Sequence, residues 1–184
     1  ADTLKGGATF IQLREKDLDF DDFVKQARAI KTLTDAYKIP FVINDAVEVA
    51  LAVDADGVHV GQDDMAAGEL RKRIGDKIIG VSADTVELAL KAEADGADYI
   101  GVGAIYATAT KTDAEVVPFE TIAAICQAVT IPVVAIGGLN ETNIHSLAGT
   151  GVDGVALVSA IFAKDDIVSA TRELRSLSEA MTKS

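Results

Sequence analysis

Residues 78–105 read IIGVSADTVELALKAEADGADYIGVGAI, and the fold class follows from the pattern in this stretch. It opens with a short apolar run at Ile78–Val81, continues with helical spacing over Thr85–Glu93, and ends in a second apolar run at Tyr99–Ile105. Several apolar residues in these runs are consecutive rather than alternate, which is typical of parallel strands covered on both faces. The stretch therefore predicts one strand–helix–strand unit of an α/β protein.

The same unit recurs along the whole chain. Seven short apolar runs predict strands, at Ala8–Leu13, Phe41–Ile43, Gly57–Val60, Ile78–Val81, Tyr99–Ile105, Val133–Ile136 and Gly154–Val158. Amphipathic stretches with helical spacing lie between and after them, among them Phe20–Leu33, Thr85–Glu93, Phe119–Val129 and Ile167–Leu177. Glycines near the strand starts are expected to end the preceding helix in the left-handed conformation, at Gly7, Gly57, Gly96 and Gly151. No low-complexity linker divides the chain, so residues 1–184 are predicted to form a single domain.

Seven units are one short of a TIM (β/α)8 barrel. The first residues, Ala1–Gly6, resemble the last turn of a helix with no strand before it. We therefore expect a TIM barrel whose first strand and most of whose first helix are absent from this sequence. A doubly wound open sheet is the alternative.

The composition excludes several functional classes. The 184 residues are 49% hydrophobic and 25% charged, as in an ordinary globular domain, and the formal net charge of −12 disfavours broad binding to nucleic acid or anionic membranes. A single cysteine, Cys126, cannot form an internal disulfide, and two histidines are too few for a multi-histidine zinc site. The chain shows neither an apolar run of about 20 residues nor a signal-peptide pattern, so a cytoplasmic location is predicted.

Polar residues directly after the predicted strands are the candidates for chemistry, because catalytic groups of parallel β/α folds lie at the carboxyl ends of strands. After the first strand, Arg14 and Lys16 are two residues apart and so point to the same side of an extended segment. Two cations there could hold a phosphate or diphosphate. The alternative is a solvated charge cluster with Glu15.

Carboxylates follow the next two predicted strands. Asp45 comes directly after Asn44, and Asp63 and Asp64 follow Gly61-Gln62. Each aspartate alone could cap the next helix. Beside Arg14 and Lys16, however, a magnesium–diphosphate site is the better interpretation, since Mg²⁺ takes one or two carboxylates plus water and phosphate oxygens.

The later strand ends predict further polar contacts. Ser82 is either a hydroxyl that contacts a ligand or the cap of the following helix. The long loop from Tyr106 to Asp113, with Lys111 and three threonines, is a second candidate anion site. Phosphate sites of such barrels frequently use the last two strand ends, here Gly137-Gly138 and Val158-Ser159. Two anion sites predict two phosphorylated substrates.

The two histidines and the cysteine are interpreted as structural. His59 lies inside a predicted strand, His145 lies in a predicted helix, and both are expected to be packed side chains. Cys126 is expected in the core beside Ile125. Because no Ser-His-Asp or Cys-His arrangement occurs at strand ends, covalent catalysis is not supported.

The motifs together resemble the thiamine phosphate synthase family over essentially the whole chain. The resemblance rests on the segments at Gln12–Lys16, Ile43–Asp45, Ala55–Asp64, Ile79–Ala83, Ala94–Gly103, Thr108–Lys111 with Asp113-Ala114, Val134–Gly138 and Gly151–Ile161. It implies a (β/α)8 barrel and an Mg²⁺-dependent transferase. That enzyme couples 4-amino-2-methyl-5-hydroxymethylpyrimidine diphosphate to thiazole monophosphate, which gives thiamine monophosphate and diphosphate.

The resemblance also implies a role for each site residue. The pyrimidine diphosphate would be held by Gln12, Arg14, Lys16, Asn44, Ser82 and Lys111, of which Arg14, Lys16, Ser82 and Lys111 are the catalytic candidates. Mg²⁺ would be bound by Asp45 and Asp64. The thiazole phosphate would be held by Thr108, Thr110, Gly138, Val158 and Ser159.

Four positions depart from the family pattern. Ala104 and Ala107 stand where the family usually has prolines, which predicts a less preorganised loop. Asp84 stands where the family often has histidine, and Ala46 where many members have a charged residue. A related thiazole tautomerase is the rival enzyme, and the complete set of cations and carboxylates disfavours it. A non-catalytic phosphate-binding barrel is the alternative from another class, and a homo-oligomer is compatible with the sequence.

Overall fold

The computed structural model of the chain describes residues 1–109 and 115–183. Its centre is a parallel sheet of seven strands in the order β1 to β7. The strands are β1 Ile11–Leu13, β2 Phe41–Asn44, β3 Gly57–Val60, β4 Ile78–Ser82, β5 Tyr99–Val102, β6 Val133–Ile136 and β7 Gly154–Ala156. All seven predicted strands are confirmed, although β1, β5 and β7 are shorter than their apolar runs.

Helices connect the strands. They are α1 Asp2–Lys5, α2 Phe20–Tyr37, α3 Val47–Ala52, α4 Ala67–Ile74, α5 Val86–Ala94, α6 Phe119–Ala128, α7 Ser159–Phe162 and α8 Ile167–Thr182, with a 3₁₀ turn at Ile144–Leu147. Three of them begin at a side-chain cap: Asp19 for α2, Thr85 for α5 and Asp166 for α8. Within residues 1–109 and 115–183, no helix is both long and apolar enough to cross a membrane.

The strand order decides between the two predicted architectures. A doubly wound sheet reverses its order at a switch point, whereas here each strand pairs with its neighbour in sequence. Right-handed crossovers then place all helices on one face of the sheet and leave the other face as the lining of a barrel. The TIM-barrel prediction is confirmed, and the doubly wound alternative is wrong.

The register assigns each side chain to one of these faces. In-register neighbours share a face, so Ile43, Val58 and Ile79 form one row, and each of them is completely buried in the main core. The opposite row contains Asn44, His59, Gly80 and Tyr99. Polar side chains therefore occupy the inner face.

The helical layer continues where the sheet stops. Helix α1 packs against α8, and a Cβ at Gly6 would lie 2.5 Å from Cβ of Thr171. Arg175 donates from Nη1 to the carbonyl of Gly7 at 3.2 Å. Among the described residues, β1 and β7 each pair on one side only.

Aspartates join the strands in pairs at their amino-terminal end. The carboxylate of each aspartate accepts a hydrogen bond from the backbone N–H of a residue in the preceding strand. The aspartate's own N–H donates to the carbonyl of that strand residue. The pairs are Asp56 with Phe41, Asp98 with Ile79, and Asp153 with Val133. The contact therefore repeats every two strand–helix units and links β2 to β3, β4 to β5, and β6 to β7.

One of the four predicted glycine positions is wrong. Gly7, Gly96 and Gly151 have positive φ, as expected, but Gly57 does not. Gly57 is instead the first residue of β3, where a Cβ would lie 2.1 Å from the carbonyl oxygen of Ile78. Close strand approach, rather than a left-handed turn, requires glycine there.

Candidate active site

The predicted site residues that the structure describes meet at one end of the sheet. Because all strands are parallel, their carboxyl ends share one rim, and the site residues lie at or just after them. From β1 to β7 they are Gln12, Arg14, Lys16, Asn44, Asp45, Asp64, Ser82, Thr108, Gly138, Val158 and Ser159. Thr110 and Lys111 lie outside the described residues.

Three of these residues form a charged cluster. The ammonium of Lys16 lies 2.8 Å from Oδ2 of Asp45, and the carboxyl of Asp64 lies within hydrogen-bonding reach of Asp45. Asp64 also accepts the backbone N–H of Gly61 at 2.7 Å. The segments after β1, β2 and β3 thus bring one cation and two carboxylates together.

The two carboxyl groups have shifted pKa values in opposite directions. Burial raises the pKa of Asp64, and the neighbouring Asp45 raises it further. Burial also acts to raise the pKa of Asp45, but the hydrogen bonds from Lys16 and Asp64 outweigh it and the pKa is lowered. Two adjacent carboxylates favour a shared cation, which would relieve their repulsion.

The capping alternatives for the aspartates are wrong. Helix α3 has Ala46 at its N-cap and α4 has Ala66, and neither makes a side-chain capping bond. Asp45 instead adopts φ of 61° and donates its N–H to the carbonyl of His59 at 2.8 Å. A left-handed non-glycine residue at a strand end is uncommon, and it is consistent with a functional position.

Glu15 does not form the solvated cluster with Arg14 and Lys16 that we considered as an alternative. Its Oε1 accepts the backbone N–H groups of Lys16 at 2.8 Å and Asp17 at 3.0 Å. These backbone bonds lower the pKa of Glu15. Within the described residues Arg14 has no ion pair, so its guanidinium is available to an anion.

Ser82 contacts a histidine rather than capping a helix. Thr85 caps α5, whereas the Ser82 Oγ lies 2.8 Å from Nε2 of His59. The Nδ1 of His59 lies 2.8 Å from the phenol oxygen of Tyr99, and Gln62 donates to the Ser82 carbonyl at 2.6 Å. Burial lowers the pKa of His59 to about 4 and raises that of Tyr99.

Sequence reasoning overlooked Tyr99 and Gln62. Tyr99 is the first residue of β5, away from the carboxyl ends of the strands, and it reaches His59 across the inner face. The in-register alternation of β3, β4 and β5 could have revealed it, because His59, Gly80 and Tyr99 fall in one row. His59 itself is packed as predicted, and it is 8% exposed.

The other side of the rim is built around Gly138. Its φ is +69°, and a Cβ would lie 2.7 Å from Cβ of Tyr106, so the packing of the β5–α6 loop requires glycine there. Asn143 donates from Nδ2 to the Gly138 carbonyl at 2.9 Å. Val158 and Ser159 are exposed at the start of α7, where backbone N–H groups lack helical acceptors.

The missing prolines are partly compensated by hydrogen bonds. The N–H of Ala104 donates to the carbonyl of Glu115 at 3.2 Å, and its carbonyl accepts from Val117 at 2.8 Å. A proline at position 104 has no N–H and could not make the first bond. Ala104 therefore anchors the start of the long loop to its end.

Two minor predictions are corrected or qualified. His145 is exposed in a 3₁₀ turn and is not a packed histidine, because the core side of that turn is occupied by Ile144 and Leu147. Cys126 is half-buried against the core, and burial raises the pKa of its thiol to about 11.

Comparison with known proteins identifies the family. The family model described as thiamine monophosphate synthase matches residues 1–161. The chain belongs to this family. It is 52% identical to a thiamine-phosphate synthase of Clostridium tetani, over 94% of this chain and 83% of that protein. It is 53% identical to one from Ruminiclostridium cellulolyticum, over 93% of this chain and 82% of that protein.

A solved structure agrees with both the family and the fold. The thiamine phosphate pyrophosphorylase from Pyrococcus furiosus superposes with a TM-score of 0.92 at 42% identity, over 98% of this chain and 87% of that one. Proteins named as the synthase thus match this chain in both sequence and fold. Neither the tautomerase nor the non-catalytic alternative is favoured.

Proposed function

We propose that the chain is a thiamine-phosphate synthase, a transferase that couples the pyrimidine diphosphate to thiazole monophosphate. The observation that carries this proposal is the rim cluster of Lys16, Asp45 and Asp64, found in a chain about half identical to synthases along most of its length. A tautomerase has no use for a diphosphate-binding cluster.

The first substrate site is assigned to the β1–β4 side of the rim. Arg14 and Lys16 would bind the diphosphate oxygens, as a planar fork and a point charge. Their neighbours Gln12, Asn44 and Ser82 would orient the pyrimidine by hydrogen bonds, with Lys111 as a further cation. Gln12 in β1 and Asn44 in β2 lie on the inner face of the sheet, near the carboxyl ends of their strands.

The donors of the cluster fit Mg²⁺. Asp45 and Asp64 offer carboxylate oxygens from two adjacent strand ends, which suits an ion that keeps several waters and takes substrate phosphate oxygens. The assignment to this pair rests on the contact between Asp45 and Asp64 and on the family resemblance. When bound, Mg²⁺ supplies positive charge that stabilises a departing diphosphate.

The second substrate site is assigned to the β5–β7 side. Thr108 and Thr110 would donate hydroxyls to the thiazole phosphate, and the backbone at Gly138, Val158 and Ser159 would supply N–H groups. The exposure of Val158 and Ser159 at the start of α7 supports this placement.

The coupling needs charge stabilisation and positioning rather than a nucleophile. The bond between the pyrimidine methylene carbon and the diphosphate oxygen breaks, and its electron pair leaves with diphosphate toward Arg14 and Lys16. The amino-substituted pyrimidine supports the cationic methylene. The thiazole nitrogen then donates its lone pair to that carbon, so no general base and no covalent enzyme intermediate are required.

We further propose that residues 1–184 act as one domain in the cytoplasm, as a monomer or homo-oligomer without nucleic-acid or membrane partners. The single half-buried cysteine and the acidic net charge support this assignment.

The decisive experiment incubates the purified protein with both substrates and Mg²⁺. We expect thiamine monophosphate and diphosphate to appear in equal amounts. Calorimetry with the pyrimidine diphosphate alone should show binding that requires Mg²⁺. A protein that ignores this compound but isomerises the thiazole would be a tautomerase, and one that binds both compounds without turnover would be a non-catalytic barrel.

A further inference from the structure

His59 is held between two hydroxyl groups on the inner face of the sheet. Its Nδ1 lies 2.8 Å from the phenol oxygen of Tyr99, and its Nε2 lies 2.8 Å from Oγ of Ser82. Turning the ring over would place carbon atoms against both hydroxyls. The two contacts therefore set the orientation of the imidazole.

The hydroxyl groups also decide which ring nitrogen carries the proton. A neutral imidazole has one donor and one acceptor nitrogen. Within the described part of the chain, the Tyr99 phenol has no hydrogen-bond partner besides His59. If Nδ1 carried the proton, the buried phenol O–H would lack an acceptor, a cost that the other tautomer avoids. The phenol thus donates to Nδ1, and Nε2–H donates to Ser82.

With this direction of the hydrogen bonds, the hydroxyl hydrogen of Ser82 has no acceptor among residues 1–109 and 115–183. The serine oxygen accepts from His59, so its own O–H is free to donate toward the rim, where the Ser82 side chain is exposed. We propose that Tyr99, acting through His59, sets the Ser82 hydroxyl as a hydrogen-bond donor to the pyrimidine diphosphate. Tyr99 and His59 are positioning residues, and the identity of the ligand rests on the proposed function.

Packing holds this hydrogen-bonded chain in place. A Cβ at Gly80 would lie 2.1 Å from Cζ of Tyr99, and a Cβ at Gly101 would lie 3.2 Å from Cε1 of His59. On another side, Phe10 meets the Tyr99 ring edge-on, with 5.5 Å between centroids. Two glycines thus make room for two rings, and neither ring can swing away without leaving a cavity.

The tautomer can be measured directly in the ligand-free protein. We would record ¹⁵N–¹H NMR spectra of protein labelled at the histidine ring nitrogens. The chain has two histidines, so a His145→Gln variant assigns the signals. We expect a protonated Nε2 and an unprotonated Nδ1 at His59 near neutral pH. A protonated Nδ1 would overturn the inference, whatever the protein's activity.

A double-mutant cycle tests whether Tyr99 acts through Ser82. Calorimetry would give the affinity for the pyrimidine diphosphate with Mg²⁺ in the wild type, Tyr99→Phe, Ser82→Ala and the double variant. We expect Tyr99→Phe to weaken binding about 5- to 10-fold and to have no further effect in the Ser82→Ala background. Additive losses would contradict the proposal, because Tyr99 would then act independently of the serine.

Tyr37→Phe is the control. Tyr37 is the exposed last residue of α2, at the end of the sheet opposite the rim, so the variant loses a phenol hydroxyl without touching His59. We expect its affinity for the pyrimidine diphosphate to equal that of the wild type, and an equal loss in both phenylalanine variants would overturn the proposal. A wild type that binds no pyrimidine diphosphate would refute the proposed function instead, whereas the NMR spectrum would still decide the tautomer.

Discussion

At the rim, Lys16 forms an ion pair with Asp45, and Asp64 lies beside that pair as a second carboxyl group. The ammonium of Lys16 lies 2.8 Å from Oδ2 of Asp45, so it contacts a carboxylate that we assign as a ligand of Mg²⁺. Binding of metal and diphosphate would transfer the ammonium from Asp45 to a phosphate oxygen. The cluster therefore exchanges one set of charge pairs for another, which limits the desolvation cost of binding.

Removing either carboxylate should impair coupling at limiting Mg²⁺. For Asp45→Asn and Asp64→Asn we expect a loss of about 10- to 150-fold, the value of a charge-assisted contact, with an unchanged fold by circular dichroism. Initial rates measured over a series of Mg²⁺ concentrations test this. Asp63→Asn is the control, since Asp63 is the exposed neighbour of Asp64. Near-normal rates at low Mg²⁺ in both site variants would refute the metal assignment.

His59 should make the stability of the fold sensitive to acid. Burial lowers its pKa from 6.5 to about 4, against the opposing charge of Asp45. Between these two pH values the unfolded chain binds a proton that the folded chain excludes, so the free energy of unfolding falls with decreasing pH. The slope is about 1.4 kcal/mol per pH unit, which gives about 2 kcal/mol between pH 6.5 and 5.

Urea unfolding of the wild type and His59→Gln at these two pH values measures that contribution. Other groups titrate in both proteins, so the difference between their pH dependences isolates His59. The variant should lose about 2 kcal/mol less than the wild type on acidification. Equal losses would mean that the imidazole is not buried in its neutral form.

At the scale of elements, the strand pairs are joined by aspartates far from the rim. Asp56 accepts the N–H of Phe41 at 2.8 Å, and Phe41 is completely buried. In Asp56→Ala that N–H loses its side-chain acceptor, so we expect a loss of about 1–3 kcal/mol in the free energy of unfolding, with kcat/KM unchanged.

Chemical denaturation with a matched variant tests this. Asp76→Ala removes an exposed aspartate at the same end of the sheet, after α4, and should stay within about 0.5 kcal/mol of the wild type. If both variants unfold at the same urea concentration, the contact between Asp56 and Phe41 contributes nothing to stability.

At the scale of the whole molecule, the two substrate sites draw on different strands and should be separable. Lys16 follows β1, whereas Thr108 follows β5. Lys16→Ala should weaken binding of the pyrimidine diphosphate about 10- to 150-fold and leave the thiazole phosphate unaffected. Thr108→Ala, which removes a hydroxyl assigned to the thiazole phosphate, should do the converse. Calorimetry with each substrate alone measures both effects. Equal losses for both ligands in both variants would indicate damage to the barrel.

Gly138 is unsuitable for that comparison. A side chain there would meet Tyr106 at 2.7 Å and the carbonyl of Ala107 at 2.9 Å, on a backbone with φ of +69°. A substitution would displace the β5–α6 loop as well as any bound phosphate. Loss of binding in such a variant would therefore not identify the missing contact.

The sequence alone determined the α/β class with its parallel strands and the location of the site. Seven apolar runs such as Ile78–Val81, separated by helical spacing, specify parallel strands, and parallel strands carry their polar ends to one rim. Arg14, Asp45 and Asp64 were therefore predictable as neighbours of strand ends. These properties depend on local periodicity and chain direction, which a sequence states directly.

The tertiary structure alone decided which partners the side chains have. The strand order β1 to β7 excluded the doubly wound sheet, and the register placed Tyr99 of β5 beside His59 of β3, with Gly80 of β4 between them. The structure also showed that Asp45 pairs with Lys16 and does not cap a helix. Such pairings join residues 29 and 40 positions apart, and their energy depends on distance and burial in the folded chain, which local patterns do not specify.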